Sequence, residues 1–180
     1  EKPFYSLGSR DAGGLSLLDD ERIDSLYDLG KVTDRFLTRE KRASAYWGRS
    51  AGLVDGWARR FTAGVTFDEH SFDTIDAAGS AVLLPENRRL IYPWIGAEWV
   101  EDAFASARNR DQIERTEDYS LGWRARAQLG FASEAFGSDR DAAIISGGLS
   151  KGLSIGEKQT LFFGVDAGGR VERGSITGGL

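Results

Sequence analysis

The stretch from Thr116 to Phe136, TEDYSLGWRARAQLGFASEAF, limits most strongly what this chain can fold into. Tyr119, Leu121, Trp123, Ala125, Ala127, Leu129 and Phe131 alternate with Ser120, Gly122, Arg124, Arg126, Gln128, Gly130 and Ala132. The first set is apolar or aromatic, and the second is small, polar or cationic. A strand sends successive side chains to opposite faces, whereas a helix would mix both sets on every face. The stretch therefore reads as one long strand with a greasy face and a wet face. Its alternation lasts more than twice the usual strand length of about 5 to 6 residues.

The same texture recurs along the chain. Residues 1–18 read as one or two extended pieces around Gly8 to Gly14. Lys41 to Leu53 reads as a strand, and Trp57 to Phe67 as its return, joined at Asp55-Gly56, a strong hairpin signal. In the return strand Phe61, Ala63, Val65 and Phe67 oppose Arg60, Thr62, Gly64 and Thr66. From Arg89 to Ala103, Ile91, Pro93, Ile95, Ala97 and Trp99 oppose Tyr92, Trp94, Gly96 and Glu98. Pro93 implies an edge, a bulge or a local break there. Strands over 142–155 and 160–173 follow, and 174–180 reads as a turn cut short. Residues 68–86 and 104–115 read as long polar connections. Residues 19–40 admit a short helix carrying Ile23, Leu26 and Tyr27, interrupted at Gly30, or a long polar loop.

Residues 1–180 thus read as a single all-β domain of seven or eight antiparallel, up-and-down strands. Short turns at 54–56 and 156–158 on one side, with longer loops on the other, suggest part of a transmembrane β-barrel or a small closed form of one. No apolar run is long enough for a membrane helix, a test that does not bear on barrels. In this reading Arg124, Arg126 and Gln128 line a lumen with Glu98, biasing it towards anions or pairing across strands. Trp57, Trp99, Tyr119 and Phe131 suit interfacial aromatic girdles. The alternative is a soluble β-barrel or sandwich that binds an apolar ligand or a protein partner, since its core face alternates too.

Other chemistry is thinly supported. The net charge of −5 gives no general attraction to nucleic acid. With no cysteine, there is no disulfide framework and no thiol chemistry. His70, the single histidine, lies near Asp68, Glu69 and Asp73, but a solvated acidic loop explains them without a metal. No Gly-x-Ser-x-Gly elbow accompanies it, so a hydrolase is a distant third reading. Gly147 to Gly152 has the glycine content of a phosphate loop without its Lys-Ser/Thr spacing. Trp94, Trp99 and Trp123 fit packing or a girdle better than base or sugar stacking. The expectation is a non-enzymatic protein with no cofactor and no metal.

Leu84 to Phe104 and Asn109 to Ser133, with LYDLGKVTDRF (26–36) and GLVDGWARRFTAGVTFDE (52–69), resemble the β-barrel part of BamA/TamA-type outer-membrane proteins, the bacterial surface antigen family. The resemblance covers most of the chain, from about Phe4 onward, and rests on strand texture and phrases. It implies a bacterial outer-membrane location, lipid as the main partner, and a role in outer-membrane protein assembly or export with protein substrates. The family's Arg-Gly-Tyr/Phe loop motif and its POTRA-like βααβ units do not occur here. Both absences suggest an internal piece of a longer precursor that carries a signal peptide. Its end strands would pair with other barrel strands or self-associate through open edges.

Overall fold

The computed structural model describes residues 1–75, 84–108, 116–155, 159–172 and 175–179. The strands are β1 (Asp11–Asp28), β2 (Lys31–Val54), β3 (Trp57–Thr74), β4 (Arg88–Glu101), β5 (Phe104–Arg108), β6 (Thr116–Ser120), β7 (Arg124–Ala132), β8 (Ala142–Ile155), β9 (Gln159–Glu172) and β10 (Ser175–Gly179). Eight of them form one antiparallel sheet in the order β1-β2-β3-β4-β7-β8-β9-β10, curled like half a barrel. β5 and β6 pair separately as a hairpin. The all-β, up-and-down expectation therefore holds. Among the described residues β1 and β10 share no ladder, so the sheet is open.

The β2–β3 turn has Asp55 and Gly56 both at positive φ (52° and 78°), the geometry that Asp-Gly favours in a two-residue hairpin. β4 lies inside the sheet despite Pro93. Its ladder to β7 begins at Trp94↔Gly130, one residue past the proline, which is the local break expected of a residue lacking an N–H.

Several expectations are corrected. Residues 19–40 are neither helix nor loop: they form the long ends of β1 and β2, paired from Asp19↔Lys41 to Asp28↔Lys31. β3 continues to Thr74, and residues 104–108 and 116–120 are strands rather than loop. Ser175–Gly179 is a strand on β9. The turn asymmetry is absent, because the register sets the β2–β3 turn beside the end of β4, from which β5 leads off at the same end of the sheet. The tight turn at Leu29-Gly30 and the connections after β3 and β7 occupy the other end.

The long strand from Thr116 to Phe136 is also broken, and its end coils into a short 3-10 turn over Glu134–Phe136. Leu121 and Gly122 both donate to Ala103 O, at 2.7 and 3.0 Å. A Cβ on Gly122 would lie 2.5 Å from Glu101 O, so only glycine lets the two backbones meet there. The face flips across this step. Tyr119 packs edge-on against Phe162, whereas Trp123 packs edge-on against Phe163 on the other side of β9.

Candidate functional site

The two faces of the sheet differ in chemistry, and the curl separates them into an inside and an outside. On one face, side chains from second-neighbour strands meet: Arg126 of β7 reaches Asp166 of β9 at 2.6 Å, and Tyr46 of β2 lies 6.4 Å from Trp94 of β4. Such strands are about 10 Å apart, so their side chains converge only where the sheet is concave.

The concave face carries the ion pairs, together with a small buried apolar cluster of Leu90, Ala132 and Ala142 against which Tyr92 and Ile144 pack. Glu98 bridges Arg60 (2.7 Å) and Arg124 (2.6 Å). Arg60 is among the most buried cations, with its side chain 9% exposed. Its guanidinium also donates to Ser6 O at 3.2 Å and lies 5.2 Å from the Phe4 ring centroid. Towards the β1–β2 hairpin, Asp68 takes Arg42 and Arg88, each at 3.4 Å, and His70 at 3.0 Å. A cavity of about 560 Å³ opens between these groups, lined by Phe4, Arg60, Glu98, Arg126, Gln128 and Asp166 among others. The first ten residues cross this face, anchored by the paired backbones of Lys2 and Gly13 and by Tyr46 Oη donating to Glu1 at 2.9 Å.

Aromatic rings on this face lie flat against glycine. Trp94 donates Nε1–H to Thr66 Oγ1 at 3.0 Å. That bond holds the indole where a Cβ on Gly64 would be 2.5 Å from its Cζ2 and 2.6 Å from Ala45 O. Gly64→Ala is therefore expected to lower stability by about 1 to 3 kcal/mol, the usual range for overpacking. Gly164→Ala, whose new Cβ would meet nothing closer than 3.4 Å, is expected to cost far less. Urea midpoints of the two variants check this.

The outward face is apolar, and the register arranges it in rows. One row runs Trp47, Ala63, Ile95, Leu129, Ile145; next to it lie Ala45, Val65 and Pro93 and, past the break at the proline, Phe131 and Ala143. These side chains lie open: Ile95 is 65% exposed, and Leu15 and Leu17 of β1 are above 75%. Charges mark the margins. At the upper margin Asp19, Lys41, Glu69 and Arg89 form one row of direct cross-strand partners with alternating sign. At the lower margin stand Asp11, Arg49, Arg59, Glu101 and Lys151. On β3, Arg59 and Glu69 bracket Phe61, Ala63, Val65 and Phe67. Ten strand residues span about 34 Å along the chain. At a tilt of about 45° this is about 24 Å of height.

The residues singled out from sequence divide as follows. Arg124, Arg126, Gln128 and Glu98 do share the concave face, and Arg124 pairs with Glu98. Sequence reasoning placed Arg60 opposite the apolar set of its strand without identifying it as a partner of Glu98, and it did not single out Asp166. Trp57 and Trp99 lie at the lower margin of the outward face. Phe131 is outward but nearer the upper margin. Tyr119 leaves the outward face altogether through the flip at Gly122.

Of the expected neighbours of His70 only Asp68 converges on it, at 3.0 Å. Glu69 points outward and Asp73 pairs with Arg39, while Glu40 approaches instead. Glu40, Asp68 and His70 offer ligand atoms within 4.8 Å of one another, but Arg42 and Arg88 already neutralise the carboxylates. Gly147, Gly148 and Gly152 lie in β8 as regular strand. Among the described residues no helix is long and apolar enough to cross a membrane, which says nothing about strands. No protein-family model matches the chain, and neither a curated protein nor a solved structure matches it.

Proposed function

We propose that this chain is a wall segment of a bacterial outer-membrane β-barrel, with a structural rather than catalytic role. One observation carries the reading: the ion pairs lie on the concave face, beside a small buried apolar cluster, while large apolar side chains lie exposed on the outward face between charged margins. A soluble barrel or sandwich places its apolar set inside and its polar set outside. A membrane barrel does the reverse, with an apolar outer band about 25 Å tall, close to the height between Arg59 and Glu69. Contiguous exposed apolar rows of this extent are also rare on soluble monomers. The cavity has Arg60, Glu98, Arg126 and Asp166 in its lining, and an apolar ligand there would strip water from these charges, which counts against the soluble alternative.

The open edges of β1 and β10 fit a segment whose missing neighbours are further barrel strands, because unpaired backbone is not tolerated in lipid. The resemblance to the BamA/TamA type extends the proposal to outer-membrane protein assembly or export, with protein substrates as partners. The test is folding of the chain with and without lipid vesicles, followed by far-ultraviolet circular dichroism and by tryptophan quenching from lipid-borne quenchers. β structure that requires lipid, with quenched tryptophans, is the expected result. A cooperative, monomeric β fold in plain buffer without quenching overturns the reading.

A further inference from the structure

The two margins of the apolar face are not equivalent. Trp57, Trp99 and Trp123 all sit within the two lowest outward rows. Trp57 is opposite Glu101, Trp99 is opposite Arg59, and Trp123 backs onto Glu101 and packs on Phe163. The upper margin, by contrast, is bordered by Leu17, Ala43, Phe67 and Ile91, with no tryptophan or tyrosine in those rows. An indole has a large apolar body and one N–H, so it prefers the boundary between hydrocarbon and headgroups.

The cations differ in the same direction. At the upper margin Lys41 lies between Asp19 and Glu69, and Arg89 lies directly opposite Glu69. Their charges are offset within the row. At the lower margin Arg49 pairs with Asp11 and Lys151 with Glu101, which leaves Arg59. Arg59 is exposed, faces Trp99 across the ladder and shares its face with Trp57 two residues away. Among the described residues it pairs with no carboxylate; Asp55 and Asp102 belong to the turns beyond the Trp57 row.

An unpaired guanidinium flanked by two interfacial indoles has the donor geometry that phosphate oxygens accept in pairs. We propose that the corner formed by Trp57, Arg59 and Trp99 is a headgroup site for an anionic phospholipid. Arg59 takes the phosphate, and the indoles lie at the glycerol level beside it. The inference rests on the membrane-wall reading. It adds an orientation: the tryptophan-bearing margin faces the leaflet that supplies anionic phospholipid.

The experiment folds the whole chain into phosphatidylcholine vesicles and into mixed phosphatidylcholine–phosphatidylglycerol vesicles of the same acyl length. The readouts are the urea midpoint and tryptophan quenching by brominated phosphatidylglycerol. For the native chain, phosphatidylglycerol is expected to raise the folded-to-unfolded ratio about fivefold at low salt, equivalent to about 1 kcal/mol for one cation at an anionic surface. Arg59→Gln is expected to fold as well as the native chain in phosphatidylcholine and to lose that gain. Arg59→Lys, which keeps the charge but not the paired donors, is expected to keep only part of it, and Arg89→Gln to leave it intact. The headgroup site is overturned if the native chain folds in both vesicles with equal midpoints, if Arg59→Gln keeps the gain, or if Arg89→Gln loses as much. If the native chain ignores lipid entirely, the membrane-wall reading is overturned and this site with it.

Discussion

Leu129→Arg is expected to cost about 2 to 4 kcal/mol of stability in a bilayer, whereas Gln128→Arg costs little. The two residues are adjacent on β7 and point to opposite faces. Leu129 lies in the middle outward row, between Ile95 and Ile145 on the flanking strands. It is 51% exposed, so half of its surface is open on the outward side. In a bilayer that exposed surface meets hydrocarbon, and a guanidinium there must be buried uncompensated or drag water and headgroups inward. Gln128 lines the concave cavity with Arg126 and Asp166, where an added cation stays hydrated. In plain buffer the order disappears, because an arginine at a half-exposed site replaces apolar surface that water already reaches. Folding titrations of both variants with and without vesicles separate the cases. Equal costs in lipid would sink the assignment of faces.

How much of this was legible follows from where alternation survives. Between the two charged margins, lipid or water on the outside and ion pairs on the inside demand different residues at successive positions. There the sequence reading holds: Phe61 to Phe67, Ile91 to Trp99 and Trp123 to Phe131 have the faces expected of them. Beyond Asp19 and Lys41 the outward face of the β1–β2 hairpin carries ion pairs, and the other face mixes polar groups with the buried Phe36 and Thr38. Glu21, Arg39 and Asp73 pair on one side, and Thr38 donates to Asp24 on the other. With polar residues on both faces the period of two vanishes, and residues 19–40 pass for helix or loop. The hairpin tip hides as well, since Leu29 holds positive φ where Asn or Asp would have announced the turn.

The candidate site shows the same division. Parity placed Glu98, Arg124 and Arg126 on one face, but a partner depends on strand order. The β5–β6 hairpin sets β4 beside β7, so Glu98 meets Arg126 in register and Arg124 diagonally. Asp166 reaches Arg126 past β8 only because the sheet curls. Neither the curl nor the flip at Gly122 leaves a mark in the pattern of apolar and polar residues. Tyr119 was therefore assigned to the wrong face while Trp123, four residues on, was placed correctly.

Glu98→Gln is expected to be the most damaging conservative change on the concave face. It keeps the shape of the side chain and removes the negative charge that Arg60 and Arg124 share. The two arginines differ in what they lose. Arg124 is 56% exposed and regains water, so its share is that of a surface pair, about 0 to 1 kcal/mol. Arg60 is enclosed by its own strand, the Phe4 ring and Ser6, and its Nε already lacks a partner. Stranding a buried charge costs about 3 to 5 kcal/mol, and the nearby cavity, open to water, puts this case at the lower end. Arg124→Gln should accordingly be mild, Glu98→Gln severe, and Arg60→Gln combined with Glu98→Gln milder than Glu98→Gln alone, because the double variant strands no buried cation. Urea midpoints of these three variants, of Arg60→Gln alone and of the native chain in the same vesicles measure this order. If the double variant fell as far as the sum of its singles, the damage would come from lost packing around Phe4 rather than from an uncompensated charge.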